Sequence, residues 1–343
     1  MSAAGRGSAP ALSVEVARLF FDRQMSKVEI GTRLGISRFR VARLIDQALD
    51  DGTVRVEFRD IPVVDRELAR TIEERFGVDL CVVASEDGDG AAGMGRVARL
   101  AASVIDGLIA TGDIVGIAWG STMAAVAAAI SPRSDPTLTV VQLAGSSTRL
   151  DADRDAGEVS RVLAARLGAT YLPLFAPTFV ASAAVRGALV AEPELARTVE
   201  AFARLRVAIV GIGAIAASGG SSRSSLVSSG VLGASEIAEL AGRGAVGDLV
   251  VHPFDARGAF VAPELAARAI AIDAATLAAV PCVVGVAAGA GKAEAIRGAL
   301  ATDIVRILVT DARAAADIVR DDRPGATRRP ARAAARNARR VAR

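Results

Sequence analysis

The chain has 343 residues, length enough for two or three domains, and its wealth of Ala, Gly and Val with only 3% aromatics favours an α/β body with close helix–strand packing. Its net charge of +3 is unevenly spread: eight of the 41 basic residues lie in 323–343 with no acid among them, which leaves 33 against 38 acids, or −5, for residues 1–322. An acidic body excludes a protein that coats nucleic acid along its whole surface, and points instead to a local basic island on a body with another task.

Residues 1–11 are expected to be disordered and lack the build of a signal peptide. Leu12 to Asp22 reads as a first helix, with either Val14, Ala17 and Phe21 or Val16, Leu19 and Phe20 facing its neighbours. "KVEIGTRLGISRFRVARLI", from Lys27 to Ile45, reads as helix, short turn, helix. Val28, Ile30 and Leu34 mark one face; Gly35 can end the first helix in the left-handed region, and Ser37 can cap the second. Gly31 is small enough for a close crossing. Val41, Leu44 and Ile45 then point inward, which leaves Arg38, Phe39, Arg40 and Arg43 outward or on the flank. In a helix-turn-helix those positions enter the major groove, where arginine pairs with guanine or neutralises a phosphate. Lys27, Ser37, Arg38, Phe39, Arg40 and Arg43 are the candidate DNA contacts, with Phe39 open between packing on its own domain and touching a thymine methyl. "TVRVEF" (53–58) alternates like a strand, the mark of a winged variant; Ile61-Pro62 begins a linker, and 65–77 is an amphipathic helix with Leu68, Ile72 and Phe76 on one face, able to connect domains or pair with its twin.

From Leu80 onward apolar strands alternate with helices: strands at 80–85, 113–120, 137–145, 207–215, 282–289 and 303–311, and helices at 95–109, 121–130 and 159–167. That pattern predicts a mostly parallel sheet covered on both faces, with ligands at the C-terminal ends of the strands. The uncharged runs 114–132, 167–185 and 274–291 contain glycine and proline and are read as buried strands with their flanks, not membrane helices. Cys81 and Cys282 sit in apolar runs without metal-ligand spacing and read as reduced core residues of a cytoplasmic protein. The arginine-rich tail from 321 is expected to be disordered, with Arg332, Arg336 and Arg340 spaced for a helix on an acidic partner.

Three loops carry suitable chemistry for a ligand. In "WGSTM", Gly120 turns and Ser121 and Thr122 open a helix, which makes either a simple cap or an anion site. "QLAGSS" (142–147), with Gln142 and Gly145, is a second strand-to-turn loop. In "AAGAGKAEAI", Lys292 is one of only two lysines and starts a helix after glycines, without Walker spacing. Asp248 is a loop carboxylate suited to sugar hydroxyls, or a plain cap; His252, the sole histidine, is read as structural. No catalytic triad, metal cluster or dinucleotide fingerprint stands out, so neither an enzyme nor a cofactor is expected.

The order and spacing of "MSKVEIGTRLGISRFRVARLIDQALDDGTVRVEF", "DIVGIAWGSTMAAV", "VVQLAGS", "LFAPTFV", "VGIG", "LVSSGVL", "GAVGDLVVHPFDARG" and "AAGAGKAEAIRGAL" resemble the SorC family of bacterial sugar-binding transcriptional regulators, close in design to DeoR-type regulators, over roughly 12–316. The resemblance implies a winged helix-turn-helix domain (12–60), a linker helix (61–78) and a Rossmann-like, doubly wound, sugar-isomerase-like effector and oligomerisation domain (79–320). It implies a phosphate on Gly120, Ser121 and Thr122 with Lys292 as its cation, and sugar hydroxyls on Gln142 and Asp248, beside Gly145. Operator DNA, a sugar or sugar phosphate and further copies of the chain, as a dimer or tetramer, are the implied partners, with no membrane. Gly31 departs from the usual Ala and should loosen its helix; the tail lies outside the family pattern, and 211–226 is looser than expected. The competing readings are a sugar-phosphate isomerase or deaminase with a fused DNA-binding domain, and a nucleic-acid protein driven by the tail.

Overall fold

The computed structural model describes residues 9–21, 23, 25–54, 64–85, 90–149, 151–215, 224–228, 230–289 and 291–320. Most of the strand expected at 53–58, and the whole arginine-rich tail, lie outside them. The chain divides into two compact units, 1–61 and 62–343.

The first unit holds α1 (Ala9–Phe21), α2 (Lys27–Leu34) and α3 (Arg38–Asp50). The first helix therefore begins inside the stretch expected to be disordered. Val16, Ile30, Val41, Leu44 and Ile45 form the core, edged by Leu12, Leu19, Phe20, Met25, Leu34 and Ile36. Of the two faces open to α1, the one with Val16, Leu19 and Phe20 packs, joined by buried Ala17, while Phe21 is exposed. Val28 is also exposed, contrary to expectation. At about 100° per residue it sits roughly 200° round the helix from Ile30, so it cannot share the stripe of Ile30, Gly31 and Leu34.

Sequence fixes the ends of α2. Ser26 and Glu29 form a capping box: Ser26 Oγ accepts from the Glu29 N–H at 3.2 Å, and Glu29 Oε2 accepts from the Ser26 N–H at 2.8 Å. Gly35 closes the helix in the left-handed region (φ 65°). The Ile36 N–H then donates to the Gly31 carbonyl at 3.0 Å. A Cβ on residue 31 would lie 2.7 Å from the Ile36 oxygen. Glycine at 31 thus permits the tight corner, the close approach expected of a small residue there, against the loosening of α2.

The second unit begins with α4 (Arg66–Phe76), capped by Asp65 and closed by Gly77. Ala69, Ile72 and Phe76 are buried in this unit's core, so the helix expected as a linker packs into the α/β body. Its strands are β1 (Leu80–Ala84), β2 (Ile114–Ile117), β3 (Thr139–Gln142), β4 (Thr170–Leu172), β5 (Val207–Ala214), β6 (Ala245–Leu249), β7 (His252–Asp255), β8 (Cys282–Val286) and β9 (Ile307–Asp311). Its further helices are α5 (Gly90–Leu108), α6 (Ser121–Ala129), α7 (Ala156–Leu167), α8 (Ala183–Val190), α9 (Pro193–Phe202), α10 (Ser225–Ser228), α11 (Ala234–Gly242), α12 (Pro263–Ala267), α13 (Ala274–Ala279), α14 (Ala293–Ala301) and α15 (Ala312–Arg320).

The main sheet runs β1-β9-β8-β5-β2-β3-β4 with every pairing parallel. Its strands β1, β8 and β9 are buried along their whole length, as continuous apolar runs require when both faces are covered. From β2 the chain builds outward to β3 and β4, then returns to place β5 on the other side of β2. Such a reversal opens a crevice at the carboxyl ends of the two central strands. The hairpin β6–β7 departs from the parallel plan: β6 pairs antiparallel with the end of β5, Gly213 opposite Asp248. The segment around Asp248, expected as a loop, is therefore a buried strand. Cys81 and Cys282 are free and buried in β1 and β8, and burial pushes both thiols up, Cys282 to about 12.

Candidate functional site

A small cleft of about 50 Å³ lies at the reversal point, lined by the loop after β2, the end of β5, the start of α10, Asp248, Val250 and Lys292. That is room for a few waters or one phosphate-sized group. Gly120, Ser121 and Thr122 form one wall. Gly120 takes φ 100°, a region open to glycine, and a Cβ there would lie 2.5 Å from Ser225 Oγ. No side chain caps α6. Its first turn presents backbone N–H groups to the cleft, and the helix dipole adds partial positive charge there. Of the two readings open for this loop, a side-chain cap is absent, and Gly120, Ser121 and Thr122 stand at the edge of the cleft.

Across the cleft stand Lys292 and Asp248, 7% and 5% exposed. Lys292 Nζ donates to the Ile212 carbonyl at 3.3 Å, and Asp248 Oδ1 has no hydrogen-bond partner among the described residues. Burial raises the Asp248 carboxyl to about 6, against the opposing pull of a Ser224 hydrogen bond and the Lys292 charge. Burial likewise lowers the Lys292 ammonium, and the Asp248 charge opposes it. A buried acceptor left unmade is costly, and a ligand hydroxyl would supply the missing donor. The segment 216–223, between Ile215 and Ser224, lies outside the described residues.

The β6–β7 turn adds a wall that sequence reasoning missed. Val250 adopts φ 62°, a rare state for a β-branched residue, and its carbonyl accepts from Trp119 Nε1 at 2.9 Å. Strain of this kind collects at ligand sites. The Val250-Val251 pair carries no glycine or asparagine, so nothing in the sequence announces the turn.

Gln142 and Gly145 do not line this cleft. Gln142 is 1% exposed and fully engaged. Its Nε2 donates to the Ala144 carbonyl at 2.8 Å, and its Oε1 accepts from the Tyr171 hydroxyl at 2.7 Å and the Leu174 N–H at 3.1 Å. A buried amide satisfied at both ends holds the β3 loop to β4 and leaves nothing to offer a sugar. Gly145 is similarly tied, its N–H to Ile270 and its carbonyl to the Thr178 hydroxyl. The loop that follows, Ser146 to Arg149, lines a more open cavity of about 1140 Å³ with Asp155, Phe175 and Arg268. His252 is buried with Nε2 against the Ile272 carbonyl at 2.8 Å, and burial lowers its pKa.

In the first unit, Lys27, Ser37, Arg38, Phe39, Arg40 and Arg43 are all exposed. Ser37 Oγ caps α3 by accepting from the Arg40 N–H at 3.2 Å. Among the described residues, no carboxylate pairs with Arg38, Arg40 or Arg43, and the first turn of α3 carries no acid. No helix of the described residues is long and apolar enough to cross a membrane.

A crevice lined by an uncapped helix N-terminus, at the reversal of a parallel sheet, is the arrangement in which open α/β units hold small ligands. The comparisons sharpen that class. Residues 62–320 match the family model described as "Putative sugar-binding domain". The deoxyribonucleoside regulator of Bacillus subtilis (strain 168) is 29% identical over 314 residues, which are 90% of this chain and 97% of that one. The sorbitol operon regulator of Klebsiella pneumoniae is 26% identical over 307 residues, 88% of this chain and 95% of that one. The crystal structure of the full-length sorbitol operon regulator SorC from Klebsiella pneumoniae superposes with a TM-score of 0.68 at 24% identity, over 91% of this chain and 100% of that one, and so shares the fold. The chain belongs to this sugar-binding domain family, in line with its resemblance to the SorC regulators.

Proposed function

We propose that this protein is a DNA-binding transcriptional regulator of carbohydrate metabolism whose operator affinity is controlled by a phosphorylated sugar. The observation that carries the reading is the cleft: a bare helix N-terminus, a buried lysine and a buried carboxylate with one oxygen unpartnered meet in a chain of this sugar-binding domain family. The phosphate sits on the N–H groups of Ser121 and Thr122 with Lys292 as its cation, and a sugar hydroxyl donates to Asp248 Oδ1. Gln142 has no part in this arrangement.

Residues 12–60 form a helix-turn-helix domain in this reading. Arg38, Arg40 and Arg43 meet base edges or phosphates in the major groove, with Lys27 and the Ser37 cap at the backbone. Residues 62–320, with α4 packed into the body, form the effector and oligomerisation domain, on a Rossmann-like sheet, and two or four copies present paired recognition helices to a palindromic operator. The sugar phosphate favours one arrangement of the copies and shifts operator affinity by its differential binding. The role in this reading is sensing, not catalysis: among the described residues, Asp248 and Lys292 are the titratable groups lining the cleft, and His252 stands outside it.

Fluorescence anisotropy on the DNA upstream of the protein's own coding region, with and without a panel of sugar phosphates and free sugars, tests the reading. Selective binding that one phosphorylated sugar shifts supports it. Turnover of a ketose or aldose phosphate by the purified protein would replace it with the isomerase reading.

A further inference from the structure

The exposed aromatic at the start of α3 takes no part in the core formed by the described residues. Phe39 is 69% exposed and stands outside the core of the first unit. It lies two residues before buried Val41, on the far side of the helix from the core. The Arg38 guanidinium lies 4.8 Å from the ring centroid, within reach of a cation–π contact. On the same helix Arg40 and Arg43 are exposed, Arg43 one turn on from Phe39 and on its face, and the first turn of α3 holds no acid. An apolar ring inside a basic patch suits a polyanion that carries an apolar spot. In the major groove that spot is the C5-methyl of thymine, the one apolar group on the base edges.

We propose that Phe39 reads a thymine methyl in each operator half-site, with Arg38, steadied on the Phe39 ring, taking the adjacent base. This rests on the DNA-binding reading above and adds a base identity to it. The ring packs on a methyl that only thymine offers among the four bases, so replacing that thymidine by deoxyuridine removes the contact and leaves pairing intact. Deleting the methyl should weaken binding by roughly threefold to tenfold per half-site.

The test begins with selection of duplexes from a random pool by the full chain. Each thymidine of the selected duplex is then changed in turn to deoxyuridine, and wild type, Phe39→Leu and Phe39→Ala are titrated at fixed salt. The expected result is one thymidine per half-site where deoxyuridine weakens wild type and Phe39→Leu, while Phe39→Ala binds both duplexes alike. Because Phe39 is exposed, melting of Phe39→Ala should match wild type, which separates lost contact from lost fold. Wild type indifferent to deoxyuridine at every position, or Phe39→Ala still sensitive to it, overturns the proposal. Failure to enrich any duplex overturns the DNA-binding reading itself, an outcome distinct from enrichment without methyl sensitivity.

Discussion

The two units reach stability by different routes. Among the described residues the first unit's core is small, Val16, Ile30, Val41, Leu44 and Ile45 with buried Ala17 and Ala48 beside them, so its helices lean on local devices: the Ser26–Glu29 capping box, the Gly35 closure and the Ser37 cap. The second buries whole strands on both faces and can carry unfavourable features, a strained Val250 and an unsatisfied Asp248, at its cleft. A small core leaves little margin, whereas a large one can hold strain where a ligand binds.

That contrast can be broken most sharply at Ile30, which is fully buried in the small core. Ile30→Ala should destabilise the first unit by ~2–5 kcal/mol, enough to unfold a unit of this size near room temperature. Calorimetry should show the first unit's transition moving while the second's stays, with DNA binding lost and ligand quenching of Trp119, the sole tryptophan, retained. A single shared transition would mean that the two units are not energetically separate.

Asp248 tests whether the second unit carries an electrostatic strain. Its folded pKa of about 6 lies above the ordinary 3.8, so the folded state holds that proton more tightly than the unfolded chain does. The sign follows: the carboxyl's contribution is most favourable at acid pH, declines as pH rises from about 4 to about 6, and stays low above, a change of up to ~3 kcal/mol. Asp248→Asn has no such titration. Its melting temperature should gain on wild type as pH is raised from 4 to 7, and parallel melting curves across that range would remove the strained carboxylate from the account.

The cleft's chemistry is tested next by Lys292→Met. Loss of one charge-assisted contact to a phosphate, ~1.5–3 kcal/mol, should weaken sugar-phosphate binding by roughly 10- to 100-fold while operator affinity without ligand is unchanged. Unchanged ligand affinity in a titration followed by Trp119 fluorescence would place the phosphate elsewhere.

Ser37→Ala gives the smallest effect. Removing the cap should lower the stability of the first unit by ~1 kcal/mol and leave the second untouched, as hydrogen exchange of the α3 amides would record. Exchange rates equal to wild type would make the cap dispensable.

The two units also differ in how much their sequences disclose. Caps, turn glycine and apolar spacing are local signals, so α2 and α3 were readable from 27–45, and the misplacement of Val28 came from treating two residues two apart as one face. The buried parallel strands were readable as apolar runs, and the Gly120 loop and Lys292, singled out in the sequence as candidate ligand groups, meet at one cleft, because strand-to-helix loops carry recognisable chemistry. The β6–β7 hairpin was not readable: Val250-Val251 lacks the composition of a turn, and it is pairing with both β5 and β7 that makes a strand of the segment around Asp248. Gln142 misled for a related reason. An amide at the end of a strand looks the same in sequence whether it faces a ligand or, as here, is consumed by Tyr171 on β4 and Leu174 just beyond it, some thirty residues on.

The most direct test of the central claim, that the helical unit binds DNA under control of a sugar phosphate held in the α/β cleft, is anisotropy of wild type and Lys292→Met on the upstream duplex across a sugar-phosphate panel. The account predicts selective binding by both proteins, shifted by one phosphorylated sugar in wild type and far less in the variant at equal ligand concentration. An equal shift in both proteins, or selective binding that no sugar phosphate alters, would contradict it.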